Sequence, residues 1–292
     1  MFTGSLVALV TPMHADGSLD FAAWSRLIDF HVGSGTQGIV VGGTTGESAT
    51  ITDAELRELV SRACAQARSR VQIIAGAGTS STAATVERVR WLSELPVDGL
   101  LVVTPAYNRP TQEGLYRHYE AVARAARVPV IPYNVPSRTA VDLLPETTAR
   151  VAQLPGVVAV KEAVAQIDRV RQLCAMCPPG FAVLSGDDAT ACEAMLAGAR
   201  GVISVTANVV PAAMSAMSAA AIAGERERAK ALDEPLSALH RDLFLEPNPI
   251  PVKWALARMG LIESGIRLPL TELSQRHHEK LLASLRRAGA LS

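Results

Sequence analysis

Gly38-Ile39-Val40-Val41-Gly42-Gly43-Thr44-Thr45-Gly46-Glu47 is an apolar run that breaks into a glycine-rich stretch, and Asp53–Ala67 beyond it carries apolar residues at helical spacing. An apolar run without polar alternation reads as a strand buried on both faces, so this segment is one strand–loop–helix unit. The same unit recurs in both directions along the chain. Leu6–Val10, Val71–Ala75, Gly99–Val103, Val128–Tyr133, Val157–Lys161, Phe181–Ser185 and Gly201–Val205 are further runs of this kind. Thr82–Leu92, Gln112–Ala125 and Asp188–Ala197 are among the helical stretches between them. Eight such units with short connections predict an α/β fold, a closed (β/α)8 or TIM barrel. An open doubly wound sheet is the competing architecture; it usually carries fewer strands and a dinucleotide fingerprint, and that fingerprint is missing. After Gly224 no strand pattern follows. Glu225–Phe244, Pro251–Arg258 and Leu270–Ala288 read as helices, with Glu246-Pro247-Asn248-Pro249 as a break. The expected organisation is a barrel over residues 1–224 and a C-terminal helical appendage over residues 225–292.

The composition narrows the function classes. The 292 residues are 49% hydrophobic, enough to bury a large core, and the formal net charge is zero. No Lys/Arg cluster forms the basic face of a nucleic-acid binder. No apolar run reaches the ~18–20 residues that span a bilayer. The N-terminal Met1-Phe2-Thr3-Gly4-Ser5 has no basic flank and leads to Thr11-Pro12, so no secretory signal is expected. Four cysteines in a chain of this length make no disulfide framework, which points to a reducing cytoplasm. Of 28 basic residues only Lys161, Lys230, Lys253 and Lys280 are Lys. In a chain that prefers Arg, a Lys in an apolar setting calls for its own explanation.

Barrels of this type carry their active sites at the C-terminal ends of the strands, which turns the strand list into a site list. Lys161 closes the run Val157-Val158-Ala159-Val160. Low-dielectric walls lower an ammonium's pKa toward ~7–8 and free some neutral amine, and a neutral amine attacks ketones to make Schiff bases. The structural alternative is a Lys whose stem packs on the barrel while its head snorkels outward or pairs with Glu162. Gly42–Gly46 sets backbone N–H groups near a helix start, where an anion is favoured. It lacks the Lys of a phosphate-binding loop, so a carboxylate is expected there; a plain strand-to-helix turn is the alternative. Tyr107 and Tyr133 lie at the ends of the fourth and fifth strands, where a phenol moves protons or merely packs. Arg138 follows in a loop, and a guanidinium suits a carboxylate. Cys174-Ala175-Met176-Cys177 is a lone CxxC with no second pair, and His277-His278 has no carboxylate at metal-ligand spacing. Both read as structural, the histidines on a solvated face, and no metal site is expected.

The motifs GGTTGES (42–48), TPAYNRPTQEGLY (104–116), YNVPSRTAVDL (133–143), VAVKEA (158–163), SGDD (185–188) and NPIPVKWAL (248–256) occur in fixed order. Together they resemble the dihydrodipicolinate synthase / N-acetylneuraminate lyase family from Gly4 through Leu273. The resemblance implies an imine between Lys161 and pyruvate. It implies a pyruvate carboxylate held by Thr45 and the glycine-rich backbone, and a proton relay of Tyr133, Thr44 and Tyr107. Tyr107 is expected to reach into a neighbouring subunit's site, within a homotetramer built as a dimer of dimers. Arg138 is expected on the carboxylate of L-aspartate 4-semialdehyde, with Gly186 and Ile203 lining the pyruvate pocket. No metal or organic cofactor is implied, because the lysine imine is the electron sink.

Val135-Pro136-Ser137-Arg138-Thr139, NPIPVK and Arg267-Leu268-Pro269-Leu270 resemble the synthase branch of that family. A sugar-acid or 4-hydroxy-2-oxoglutarate aldolase, which shares the imine, stays open, as does a non-catalytic 2-oxo-acid binder. Ala106 departs from members that carry an aromatic beside the interface tyrosine. In lysine-sensitive members an effector cleft aligns with Ser48, Ala49, Asp53, Leu56, Ser80, Ala84 and Ala106. The polar partners usual at several of these places are absent, so weak or no inhibition by L-lysine is expected, with Asp53 as a possible substitute for the missing carboxylate.

Overall fold

The structure is a computed structural model that describes residues 2–291; Met1 and Ser292, the outer ends of the two expected regions, lie outside the described residues. Eight parallel strands run β1 Gly4–Ala8, β2 Gly38–Val41, β3 Gln72–Gly76, β4 Gly99–Val103, β5 Val130–Asn134, β6 Ala159–Glu162, β7 Ala182–Ser185 and β8 Gly201–Ser204. They follow chain order around a closed barrel, sealed where β1 pairs with β8. At that seam a Cβ on Gly201 would stand 2.3 Å from the Gly4 carbonyl oxygen, so the two strands meet this closely because Gly201 carries no side chain.

Thirteen helices accompany the strands among the described residues. The barrel layer holds α1 Phe21–Gly33, α2 Asp53–Ala67, α3 Thr82–Leu92, α4 Gln112–Ala125, α5 Pro136–Thr139, α6 Pro145–Val151, α7 Ile167–Met176, α8 Ala191–Leu196 and α9 Pro211–Ile222. Beyond them lie α10 Arg226–Asp233, α11 Ser237–Asp242, α12 Ile250–Arg258 and α13 His278–Arg287. Helices α2, α3 and α4 start where the sequence places them because their caps are written into it. Thr52, Ser81 and Thr111 each accept a hydrogen bond from a backbone N–H of the first turn, and Thr52 with Glu55 closes a capping box.

Three expected helices are shorter or broken. Glu225–Phe244 is interrupted by a tight turn at Glu234–Leu236, where Pro235 has no N–H to donate and its ring crowds the preceding turn. Leu270–Ala288 becomes helical only from Gln275, because Ser274 is held by Glu246 through its backbone N–H and its hydroxyl. Asp188–Ala197 begins with a 3-10 turn, since the Asp188 carboxylate is turned to the backbone N–H groups of Val205 and Thr206 instead of capping its own helix. His278 does not sit on a solvated face: its ring stacks on Trp254 with centroids 4.5 Å apart.

Strand alternation sorts the side chains into two cores. Leu6, Val40, Ile74, Leu101, Ile131, Leu184 and Ile203 fill the barrel interior, while Val7, Ile39, Val41, Ile73, Val102 and Val183 pack outward against the helices. This parity fixes the site. Tyr133 and Lys161 are register partners on β5 and β6, and Lys161 pairs onward with Leu184 on β7, so these three share the inner face. Asn134 and Glu162, one residue on, share the outer face.

Candidate active site

Glu162 tests the structural alternative for Lys161. Its carboxylate accepts from Asn134 Nδ2 at 3.0 Å, from the Val164 N–H at 2.9 Å and from Arg169 Nε at 2.9 Å. Arg169 also grips Asp142. This buried outer network leaves Glu162 nothing to offer across the strand. Lys161, 5% exposed, has no ion-pair partner among the described residues. Its Nζ sits 4.4 Å from the centroid of the Tyr133 ring. Burial pulls the Lys161 ammonium down to about 8; the Asp188 carboxylate opposes the shift and the Arg138 guanidinium adds to it. Burial pushes the Tyr133 phenol up to about 12, against the pull of Arg138 and of the Thr44 side chain. At neutral pH the site therefore holds an amine close to losing its proton beside a phenol that keeps its own.

Both residues open into a cavity of about 390 Å³ at the C-terminal mouth of the barrel. Thr44 and Thr45 enter from the glycine-rich loop, Arg138 from α5 and Gly186 from the end of β7. Gly186 is set by packing: a Cβ there would lie 2.9 Å from Lys161 Cε and 2.8 Å from Ala163 Cβ, so a side chain would displace the lysine. The cavity's size and mixed lining fit a small carboxylate-bearing substrate.

Six of the expected site residues thus converge: Lys161, Tyr133, Thr44, Thr45, Arg138 and Gly186. Two do not. Ile203 is 1% exposed inside the barrel core and is not part of the cavity wall. Tyr107 is 94% exposed, outside the cavity of its own chain, on a backbone with φ of 72°. Its peptide N–H is tied back to the Thr139 carbonyl oxygen at 3.4 Å, which anchors the loop next to Arg138.

Three contributors went unnoticed in the sequence. Asn248, 5% exposed in the break before α12, donates from Nδ2 to Thr45 Oγ1 at 2.9 Å, and its main-chain oxygen accepts from Arg138 Nη2 at 3.2 Å. Phe244 supplies apolar wall from the same region. Asp188 lies buried just after β7, with one oxygen on two backbone N–H groups, and its charge acts on Lys161. The motifs SGDD and NPIPVK contain Asp188 and Asn248, but spacing does not reveal what they face. Elsewhere His14, Asp20 and Glu263 have the composition of a metal site; Asp20 is engaged as the cap of α1 and Glu263 lies on His14, away from the cavity.

Residues 1–288 match the profile of the dihydrodipicolinate synthetase family. The chain belongs to that family. Among its members, the 4-hydroxy-tetrahydrodipicolinate synthase of Methylococcus capsulatus is 53% identical over 100% of both chains. That of Aromatoleum aromaticum is 54% identical over 99% of each. Of solved dihydrodipicolinate synthetase family structures, the chloride-inhibited dihydrodipicolinate synthase from Acinetobacter baumannii, complexed with pyruvate, superposes with a TM-score of 0.98 at 47% identity, covering 100% of both chains.

Proposed function

We propose that this chain condenses pyruvate with L-aspartate 4-semialdehyde to give 4-hydroxy-tetrahydrodipicolinate, a lyase step of lysine and diaminopimelate biosynthesis. The observation that carries the proposal is Lys161: a buried amine without a counter-ion among the described residues, in register with Tyr133, at the wall of a cavity that also holds Thr45 and Arg138. The names of full-length relatives at 53% and 54% identity support the same reading.

In this mechanism the neutral Lys161 amine adds to the C2 carbonyl of pyruvate, and the adduct expels water to leave an iminium. Thr45 and the backbone of the glycine-rich loop hold the pyruvate carboxylate. The iminium draws electrons from the methyl group, which loses a proton into the relay of Tyr133, Thr44 and Tyr107 and becomes an enamine. A phenol held above its usual pKa takes a proton only by passing its own onward, so Tyr133 needs Thr44 beside it. The enamine carbon bonds to the aldehyde carbon, whose oxygen takes up the proton. Arg138 orients the second substrate by its carboxylate. The substrate's amino group then attacks the imine carbon, Lys161 leaves as the free amine, and the ring closes. The imine does the electron-sink work for which other enzymes use a cofactor, so neither metal nor organic cofactor enters the scheme.

The exposed Tyr107 on its positive-φ loop supports a homo-oligomer in which it completes a neighbour's relay, a tetramer assembled as two tight dimers. No helix among the described residues is long and apolar enough to cross a membrane. The free cysteines and the biosynthetic reaction fit the cytoplasm.

Arg138→Ala tests the choice of second substrate. Loss of a charge-assisted contact is expected to cut kcat/KM for the semialdehyde by roughly 10–100-fold, with the pyruvate adduct still forming. Faster turnover of a sugar acid or of 4-hydroxy-2-oxoglutarate than of the semialdehyde by the unaltered enzyme would overturn the proposal.

A further inference from the structure

We propose that Asn248 is a positioning residue for pyruvate: its side-chain amide fixes the Thr45 hydroxyl so that the hydroxyl's proton points at the pyruvate carboxylate. The inference rests on the function proposed above. Asn248 stands 203 positions from Thr45 in sequence, yet Nδ2 donates to Thr45 Oγ1 at 2.9 Å, and both residues belong to the cavity wall. A hydroxyl has one proton to give and lone pairs to receive with. With a lone pair engaged by Asn248, the Thr45 proton is turned away from the amide. Its complement is an acceptor in the cavity, and a carboxylate is the strongest available.

The surroundings of Asn248 speak against a purely packing role. Its Oδ1 is buried and has no hydrogen-bond partner among the described residues. A buried unpaired acceptor destabilises a fold, so a residue kept for packing alone would be apolar here. The side chain's hydrogen bond goes to the one hydroxyl assigned to pyruvate. The contact with Arg138 is made by the Asn248 main-chain oxygen, so side-chain substitutions separate the pyruvate end of the site from the semialdehyde end.

Asn248→Ala and Asn248→Asp test this, with half-saturation by pyruvate read both from turnover and from borohydride trapping of the imine. Asn248→Ala frees the Thr45 hydroxyl to rotate, and half-saturation is expected to rise roughly tenfold or more. Asn248→Asp, the closer match in shape, is expected to rise further, because a carboxylate takes the Thr45 proton and sets a negative charge near that of pyruvate. The KM for the semialdehyde should stay within about twofold, and in a Thr45→Val background both substitutions should lose most of their effect. If either variant fails to fold by circular dichroism, Asn248→Ser replaces it; serine is too short to reach Thr45 and should behave as alanine does. An Asp variant no worse than Ala, equal shifts for both substrates, or full additivity with Thr45→Val would overturn the inference. Absence of any adduct in the unaltered enzyme would instead overturn the proposed function.

Discussion

Lys161 and Lys253 are both buried, at 5% and 2% exposure; Lys161 lines the same cavity as Thr44 and Thr45 and Lys253 touches the end of their loop, but among the described residues only Lys253 has a counter-ion. Lys253 reaches from α12 to the carboxylate of Glu47, the residue that ends the glycine-rich loop with a φ of 57°. The other Glu47 oxygen accepts from the Arg267 N–H, and the Arg267 guanidinium pairs with Glu55 and donates to the Thr50 carbonyl. Burial lowers the pKa of both lysines; at Lys253 the neighbouring carboxylate pulls it back, whereas at Lys161 only the more remote Asp188 does so. The same side chain, desolvated in two places, is a fastener where an anion is supplied and, in the proposed mechanism, a nucleophile where one is withheld. The fastener ties α12 to the glycine-rich loop that lines the cavity, so the candidate site leans on a helix that follows the barrel strands.

The sharpest way to break this comparison is to remove each charge in turn. Lys161→Met is expected to lower turnover by roughly 10^4–10^6-fold, as loss of a covalent nucleophile does, and to leave the fold more stable. The folded pKa of about 8 lies below the ordinary 10.5, so between those values the unfolded chain binds the extra proton. Stability therefore rises with pH across that window, and the cost of burying the ammonium is fully present below it. At about 1.4 kcal/mol per pKa unit, removing the lysine returns as much as about 3 kcal/mol at pH 7. Lys253→Met has the opposite sign. It strands the Glu47 carboxylate in the interior and should destabilise by about 3–5 kcal/mol, with much of this recovered when Glu47→Gln is added. Denaturant midpoints measure both; two shifts of the same sign would erase the distinction between the lysines.

How far this contrast could be read from sequence follows from what sets each part. Lys161 was legible because a lysine terminates an apolar strand run, and strand parity then aims it inward with Tyr133. Helices α2, α3 and α4 were legible because Thr52, Ser81 and Thr111 act on residues three positions away. Lys253–Glu47 and Asn248–Thr45 join residues more than 200 positions apart, and no local pattern encodes them. Pro235 lies inside a stretch of helical spacing, and the spacing alone does not show that it interrupts the helix. Ile203 was expected in the pocket on resemblance alone; the parity of β8 places it on the inner face of the barrel, in the same cluster as Tyr133, where its side chain is buried. Tyr107 is exposed and lies outside the Lys161 cavity of its own chain, so the relay role proposed for it calls for a contact between chains.

A milder test concerns protonation. At fixed pyruvate, the rate of imine formation should rise about tenfold per pH unit below about 8 and level off above it, since only the neutral amine attacks. Lys253→Met should leave that midpoint in place. A midpoint near 10.5 would mean that burial does not activate Lys161.

The smallest effect is expected behind the loop, where Ser48, Asp53, Leu56 and Arg88 line a second cavity of about 30 Å³. Asp53, the one carboxylate placed to replace that of lysine-sensitive relatives, is paired with Arg88 at 2.6 Å. A lysine ammonium would have to displace that guanidinium. L-Lysine at about 1 mM, where binding is worth only ~4 kcal/mol, should change the rate by less than about twofold. Saturable inhibition at or below that concentration would show that the pair yields.

The central claim is that the unpaired buried lysine is the nucleophile, and reductive trapping addresses it most directly. Borohydride added with pyruvate should leave one adduct per chain by intact mass spectrometry, and peptide mapping should place it on Lys161. Absence of an adduct, an adduct on Lys253, or an undiminished yield in Lys161→Ala would contradict the account.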